Sequence, residues 1–132
     1  MPDVTSIHHV SLTVTDLDRS VAWYNQVLGL AELMREDHPD GTGYAIILGK
    51  PDFSMCVGLH THVANGSEPS NETRTGLDHV SFGVAQRADL DDWAEHFKKL
   101  NVLQSPISDQ EGHAVLVFRD PDNIQLELIS MG

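Results

Sequence analysis

Apolar side chains alternate with polar ones over Val10, Leu12 and Val14, and the same alternation returns at Val80, Phe82 and Val84. Period-two patterning predicts a strand with one buried face. The opposite faces carry His9, Ser11 and Thr13 in one copy and His79, Ser81 and Gly83 in the other, so the triplet His-Val-Ser occurs twice. Each strand feeds an amphipathic helix. In the first, Leu17, Val21, Tyr24 and Leu28 recur at helical spacing, with Thr15 as the expected N-cap, Asp18 in the first turn and Gly29 placed for a left-handed C-cap. The second is expected from about Ala88 to Leu100, with Leu90, Trp93, Phe97 and Leu100 on one face, aspartates early and Lys98 and Lys99 late.

Three extended runs follow each helix. Those of the first half are Leu30 to Glu36, Tyr44 to Leu48 and Phe53 to Leu59, separated by the turn sequences His38-Pro39-Asp40-Gly41 and Gly49-Lys50-Pro51-Asp52. Those of the second are Val102 to Ile107, His113 to Arg119 and Ile124 to Ser130, with Asn123 suited to a left-handed turn position before the last. Residues 61–76 are poor in bulky apolar side chains and read as a solvated linker. The pattern is therefore βαβββ twice: repeat one over about 5–60, a linker over about 61–76 and repeat two over about 77–130, in one domain spanning 1–132. An α+β fold is predicted, a curved mixed eight-stranded sheet around a central cleft with the helices on its outer face.

Composition narrows the partners. A formal charge of -12 and a pI near 4.8 oppose binding to nucleic acid or to an anionic membrane surface. No stretch approaches the roughly 20 apolar residues of a membrane span. A single cysteine, Cys56, allows no internal disulfide, and no basic segment followed by an apolar run opens the chain. These features lead us to expect a soluble cytoplasmic protein whose partner is a small molecule.

The polar faces carry the candidate chemistry. In the last strand Gln125 and Glu127 oppose Ile124, Leu126 and Leu128, so one curved sheet would let His9, His79 and Glu127 converge in its concavity. Two neutral imidazoles and a carboxylate suit a divalent metal with open coordination positions. The same three residues equally suit the wet face of an antiparallel sheet. His113 and Arg119 share parity with Val115 and Val117 and would also face the cleft, where Arg119 either holds an anionic substrate or pairs with Asp120 or Asp122. Cys56 reads as a packed side chain, and Trp23, Tyr24, Trp93 and Phe97 as core. The sequence reveals no partner for His38, His62 or His96.

The segments HHVSLTVTDLDRSVAWYNQVLGL, GLDHVSFGV and VFRDPDNIQLELI resemble the three recurrent segments of the vicinal oxygen chelate superfamily. That superfamily includes glyoxalase I, extradiol dioxygenases, fosfomycin-resistance thiol transferases and metal-free bleomycin-binding proteins. The resemblance covers essentially the whole chain and implies metal ligands at His9, His79 and Glu127, with His8 the weaker neighbour of His9. It implies one divalent ion (Fe, Mn, Zn or Ni) and a small substrate with adjacent oxygens, reacting through an enolate-like or catecholate-like intermediate. The alternative is a metal-free binding protein of the bleomycin-resistance type. A homodimer is also implied.

Glyoxalase I carries a further glutamate ligand in its first repeat. The internal repeat puts that place near Val57 or Gly58, neither of which ligates through a side chain, so the resemblance favours dioxygenase-like or transferase-like chemistry. His60 shares the parity of Gly58 and is either a replacement ligand or base, or a rim histidine.

Overall fold

The alternation and helical periodicity of each repeat are realised as one helix on one four-stranded mixed sheet, in a computed structural model that describes all 132 residues. The first repeat contains β1 (Val10–Thr13), α1 (Leu17–Leu28), β2 (Ala31–Asp37), β3 (Gly43–Gly49) and β4 (Cys56–His62). The second contains β5 (Val80–Gly83), α2 (Arg87–Lys99), β6 (Ser108–Gln110), β7 (His113–Arg119) and β8 (Gln125–Ser130). Strand orders are β1-β4-β3-β2 and β5-β8-β7-β6, the same topology twice. In each sheet the first strand lies parallel to the fourth and the other pairs are antiparallel. Met1–Ser67 and Glu68–Gly132 form two compact units. No helix is long and apolar enough to cross a membrane.

One face of each sheet is closed by its helix. α1 packs on β2, β3 and β4, burying Tyr24 and Val27 with Leu48, Val57 and Leu59. α2 packs on β7 and β8, where the rings of Phe97 and Phe118 lie 4.5 Å apart between centroids. Each such side chain contributes about 1.5–3 kcal/mol through burial. The predicted alternation is seen directly in β7, where Ala114, Leu116 and Phe118 are buried while His113, Val115, Val117 and Arg119 are half-buried. In β8 likewise Leu126 and Leu128 are buried while Gln125 and Glu127 are half-buried, and in β4 Val57 and Leu59 are buried while His60 is half-buried and His62 exposed.

Several boundaries differ from the sequence reading. The N-cap of α1 is Asp16, which accepts from the Arg19 backbone N–H, while Thr15 Oγ1 accepts from the Arg19 guanidinium. β1 ends one residue short of the alternation over Val10, Leu12 and Val14, because its parallel register runs only from Val10 opposite Val57 to Thr13 opposite His60. β4 begins three residues later than Phe53 and continues to His62, into the stretch read as linker. Phe53 is held at φ 59° in a turn closed by Phe53 N–H to Lys50 O, which no strand residue adopts. No strand forms over Val102 to Ile107. Pro106 lacks an N–H for a ladder, Leu103 is exposed, and Gln104 forms only an isolated bridge to Phe118, so the edge strand falls at Ser108–Gln110. Gly29 and Asn123 take the left-handed conformations expected of them, at φ 69° and 62°.

Candidate metal ligands in the two repeats

The register of the parallel pairs assigns equivalent places. Ser81 lies opposite Glu127, and Ser11 lies opposite Gly58. Gly58, not Val57, is therefore the counterpart of Glu127. A Cβ at Gly58 would fall 2.5 Å from Ser11 Oγ, 3.2 Å from His60 Nε2 and 3.3 Å from Ile47 Cδ1. The place of a carboxylate in the first repeat is thus closed by a hydroxyl and faced by an imidazole.

His79 stands one residue before β5, and its Nδ1 lies 2.7 Å from Asp78 Oδ1. That oxygen also accepts from Gln125 Nε2 at 3.0 Å. Gln125 Oε1 in turn accepts from Arg119 Nη2 at 3.0 Å, and Arg119 donates to both oxygens of Glu72, at 2.8 and 3.0 Å. A further bond of 3.3 Å reaches the Asn123 carbonyl. A carboxylate on Nδ1 fixes the tautomer and ring orientation of a histidine and leaves Nε2 to act as a ligand. Glu127 is half-buried and accepts from Ser81 Oγ at 2.7 Å. His79, Ser81 and Glu127 share one face of one sheet.

Arg119 pairs with neither Asp120 nor Asp122. Asp120 Oδ1 instead accepts from the backbone N–H groups of Asp122 and Ile124, both at 2.8 Å, and closes the turn before β8. Glu72 belongs to the stretch read as a solvated linker, yet its carboxyl is held at about 2 by the Arg119 guanidinium beside it. The linker is therefore tethered to β7.

In the first repeat, His9 precedes β1 and is exposed, with Nδ1 2.9 Å from Nδ1 of His8. The two rings meet edge to face although strand parity would separate them, because the alternation begins only at Val10. His60 is half-buried on β4. Burial pushes its pKa below the usual imidazole range, and the neighbouring His38, His62 and, more weakly, His9 act in the same direction against an opposing Glu36. The rings of His38, His60 and His62 are stacked, a grouping the sequence reading did not join. The period-two pair His60 and His62 was its one visible signal. Cys56 is buried with Sγ 3.9 Å from Phe53 O, consistent with a packing role.

The model of the Glyoxalase/Bleomycin resistance protein/Dioxygenase superfamily matches residues 6–128. The chain belongs to this superfamily. Among solved structures, a glyoxylase/bleomycin resistance protein/dioxygenase domain from Frankia sp. EAN1pec is similar at 35% identity and a TM-score of 0.88, covering 98% of this chain and 100% of that one. The metallothiol transferase FosB of Staphylococcus epidermidis is 26% identical over 131 residues, 96% of this chain and 82% of its own. A probable lactoylglutathione lyase of Synechocystis sp. is 30% identical over 124 residues, 92% of each chain. Superfamily relatives that match nearly the whole chain thus carry the names of enzymes, of different reaction classes. Membership in the glyoxalase superfamily agrees with the twice-repeated βαβββ topology.

Proposed function

We propose that the chain is a divalent-metal-dependent enzyme acting on a small substrate with adjacent oxygens, with His79 and Glu127 as the ligands of the second repeat and His9 as that of the first. The observation that carries this reading is the Asp78 carboxylate on His79 Nδ1, backed by Gln125. A histidine kept only for solubility on a wet sheet face needs no such support, and the same feature favours the enzyme over a metal-free binding protein. The residue types fit Fe, Mn, Zn or Ni. When bound, the ion supplies Lewis-acid stabilisation of negative charge on the substrate oxygens.

The protein's own residues do the positioning. Asp78 holds the His79 ring, Ser81 holds one oxygen of Glu127, and Arg119 acts through Gln125 on Asp78 rather than on substrate, since four of its hydrogen bonds are already committed. Gly58 offers no carboxylate for the proton transfer a lactoylglutathione isomerisation would place there, which favours transferase-like or dioxygenase-like chemistry. We further propose a homodimer, checked by sedimentation at several concentrations.

The deciding experiment is the metal content of tag-free protein purified without chelators, compared across His9→Ala, His79→Ala, Glu127→Ala and the control His113→Ala. Each of the first three is expected to lose one equivalent that the control retains. Undiminished metal in all three would refute the ligand assignment. Oxygen uptake with catechols and thiol addition to small electrophiles then sort the reaction class.

A further inference from the structure

We propose that His38, His60 and His62 form a second divalent transition-metal site, carried wholly by the first repeat and sharing no ligand with His9, His79 and Glu127. One ring nitrogen from each of the three comes within 4.8 Å of the others. Ring centroids are 5.1 Å apart for His38 and His60 and 4.6 Å apart for His38 and His62.

The sheet is shaped to allow this. His38 stands at the corner where β2 turns into β3, and β3 lies between that corner and β4. The residues of β3 opposite His62 and His60 are Gly43 and Ala45, the two smallest available. A Cβ on Gly43 would strike the Thr61 carbonyl and come within 2.8 Å of His38 Nδ1, and its φ of 149° also favours glycine. With that place empty, the His38 ring crosses over β3 and reaches the imidazoles of β4.

The hydrogen bonding of the cluster is incomplete. His38 Nε2 and His60 Nδ1 lie 2.9 Å apart and can share one proton. His38 Nδ1 is buried with no hydrogen-bond partner, whereas a buried structural histidine ordinarily finds a carbonyl or carboxylate for each nitrogen. Protonating all three rings would set like charges against one another.

Donor chemistry selects the ion. Three imidazoles without thiolate suit zinc, cobalt, nickel or copper, and they exclude magnesium and calcium, which require oxygen ligands. Zinc–nitrogen bonds of about 2.0–2.1 Å require the three nitrogens to draw closer than 4.8 Å. His62 is exposed at the last position of β4 and is free to make that movement. Three protein ligands leave a fourth position for water or a ligand.

The test uses tag-free full-length protein stripped with chelator and titrated with cobalt(II), read by its visible absorption and by calorimetry. In a His79→Ala/Glu127→Ala background, which removes the site of the proposed function, one equivalent is expected to remain. Adding His62→Ala, an exposed position whose loss leaves the core intact, should weaken that equivalent by more than the roughly 10–100-fold typical of outer-shell changes. Adding His60→Ala should abolish the absorption, with circular dichroism confirming the fold. Zinc should also raise the melting temperature of the background variant and leave that of the His60→Ala derivative unmoved. The inference is overturned if the background variant binds no cobalt, or if His62→Ala and His60→Ala leave its binding unchanged. Either result would leave the assignment of His79 and Glu127 standing.

Discussion

Ser81 donates its hydroxyl to Glu127 at 2.7 Å across the parallel pair β5–β8, and the same register in β1–β4 sets Ser11 against Gly58. One repeat spends this cross-strand contact on holding a carboxylate; the other has closed the space. Filling it again has a cost that two variants can measure. Gly58→Ala would put a Cβ 2.5 Å from Ser11 Oγ, with His60 and Ile47 at 3.2 and 3.3 Å. Rotating a hydroxyl and shifting two side chains is expected to destabilise by about 1 kcal/mol. Ser11→Ala removes the shortest contact, so the double variant should recover most of that loss in urea unfolding. Strict additivity of the two changes would show that the contact is not the cause.

Asp78 gives a second prediction. Its carboxylate is the partner of His79 Nδ1, so Asp78→Ala should weaken metal binding at the proposed site by about 10–100-fold while leaving the ligands in place. Competition with a chelator of known affinity reads the change. An unaltered dissociation constant would mean that Asp78 does not orient the ring.

Acid stability should follow Glu72. Its carboxyl titrates near 2 in the folded chain, chiefly through the Arg119 hydrogen bonds, against an ordinary value of 4.5. Between those values the unfolded chain binds more protons than the folded one, so stability rises with pH there. The contribution is complete above 4.5 and lost as pH falls towards 2. Glu72→Gln should flatten this part of the profile, measured as urea midpoints from roughly pH 6 down to 2. A slope identical to that of the parent chain would assign the acid sensitivity elsewhere.

The turn before β8 depends on Asp120, buried and accepting two backbone N–H groups. Asp120→Ala should cost about 1–3 kcal/mol, because those donors lose their acceptor in a buried place. Amide exchange at Asp122 and Ile124 should accelerate with it. Protection at both amides equal to the parent's would contradict the assignment.

How much of this was legible in the sequence depended on whether a signal was local. β7 is bounded as the alternation predicts, since both its faces are decided by its own side chains. Phe53 and Val102 to Ile107 have strand-like composition, but a positive φ keeps the first out of a strand and Pro106 limits the second to an isolated bridge held by Ser105 N–H to Val117 O and Arg119 N–H to Leu103 O, which composition does not register. The equivalence of Gly58 and Glu127 was legible to within one residue and needed the strand register to resolve. Asp78 and His79 are neighbours in sequence, yet their extension to Gln125, Arg119 and Glu72 exists only through the pairing of β7 with β8 and a tethered linker. Arg119 was read against the nearest acids, whereas Asp120 is engaged by the backbone of its own turn. The joining of His38 to His60 and His62 required knowing which residue of β3 lay between them.

That intervening residue is Gly43. A central strand ordinarily insulates its neighbours, since a side chain at every second position stands as a fence between what lies to either side. A glycine there opens a gate, and groups two strands apart acquire a common environment. Substituting it would alter nothing that Gly43 itself contributes chemically; it would instead separate three imidazoles into a lone ring and a pair. The range over which side chains cooperate on this sheet is thus set by its smallest residue.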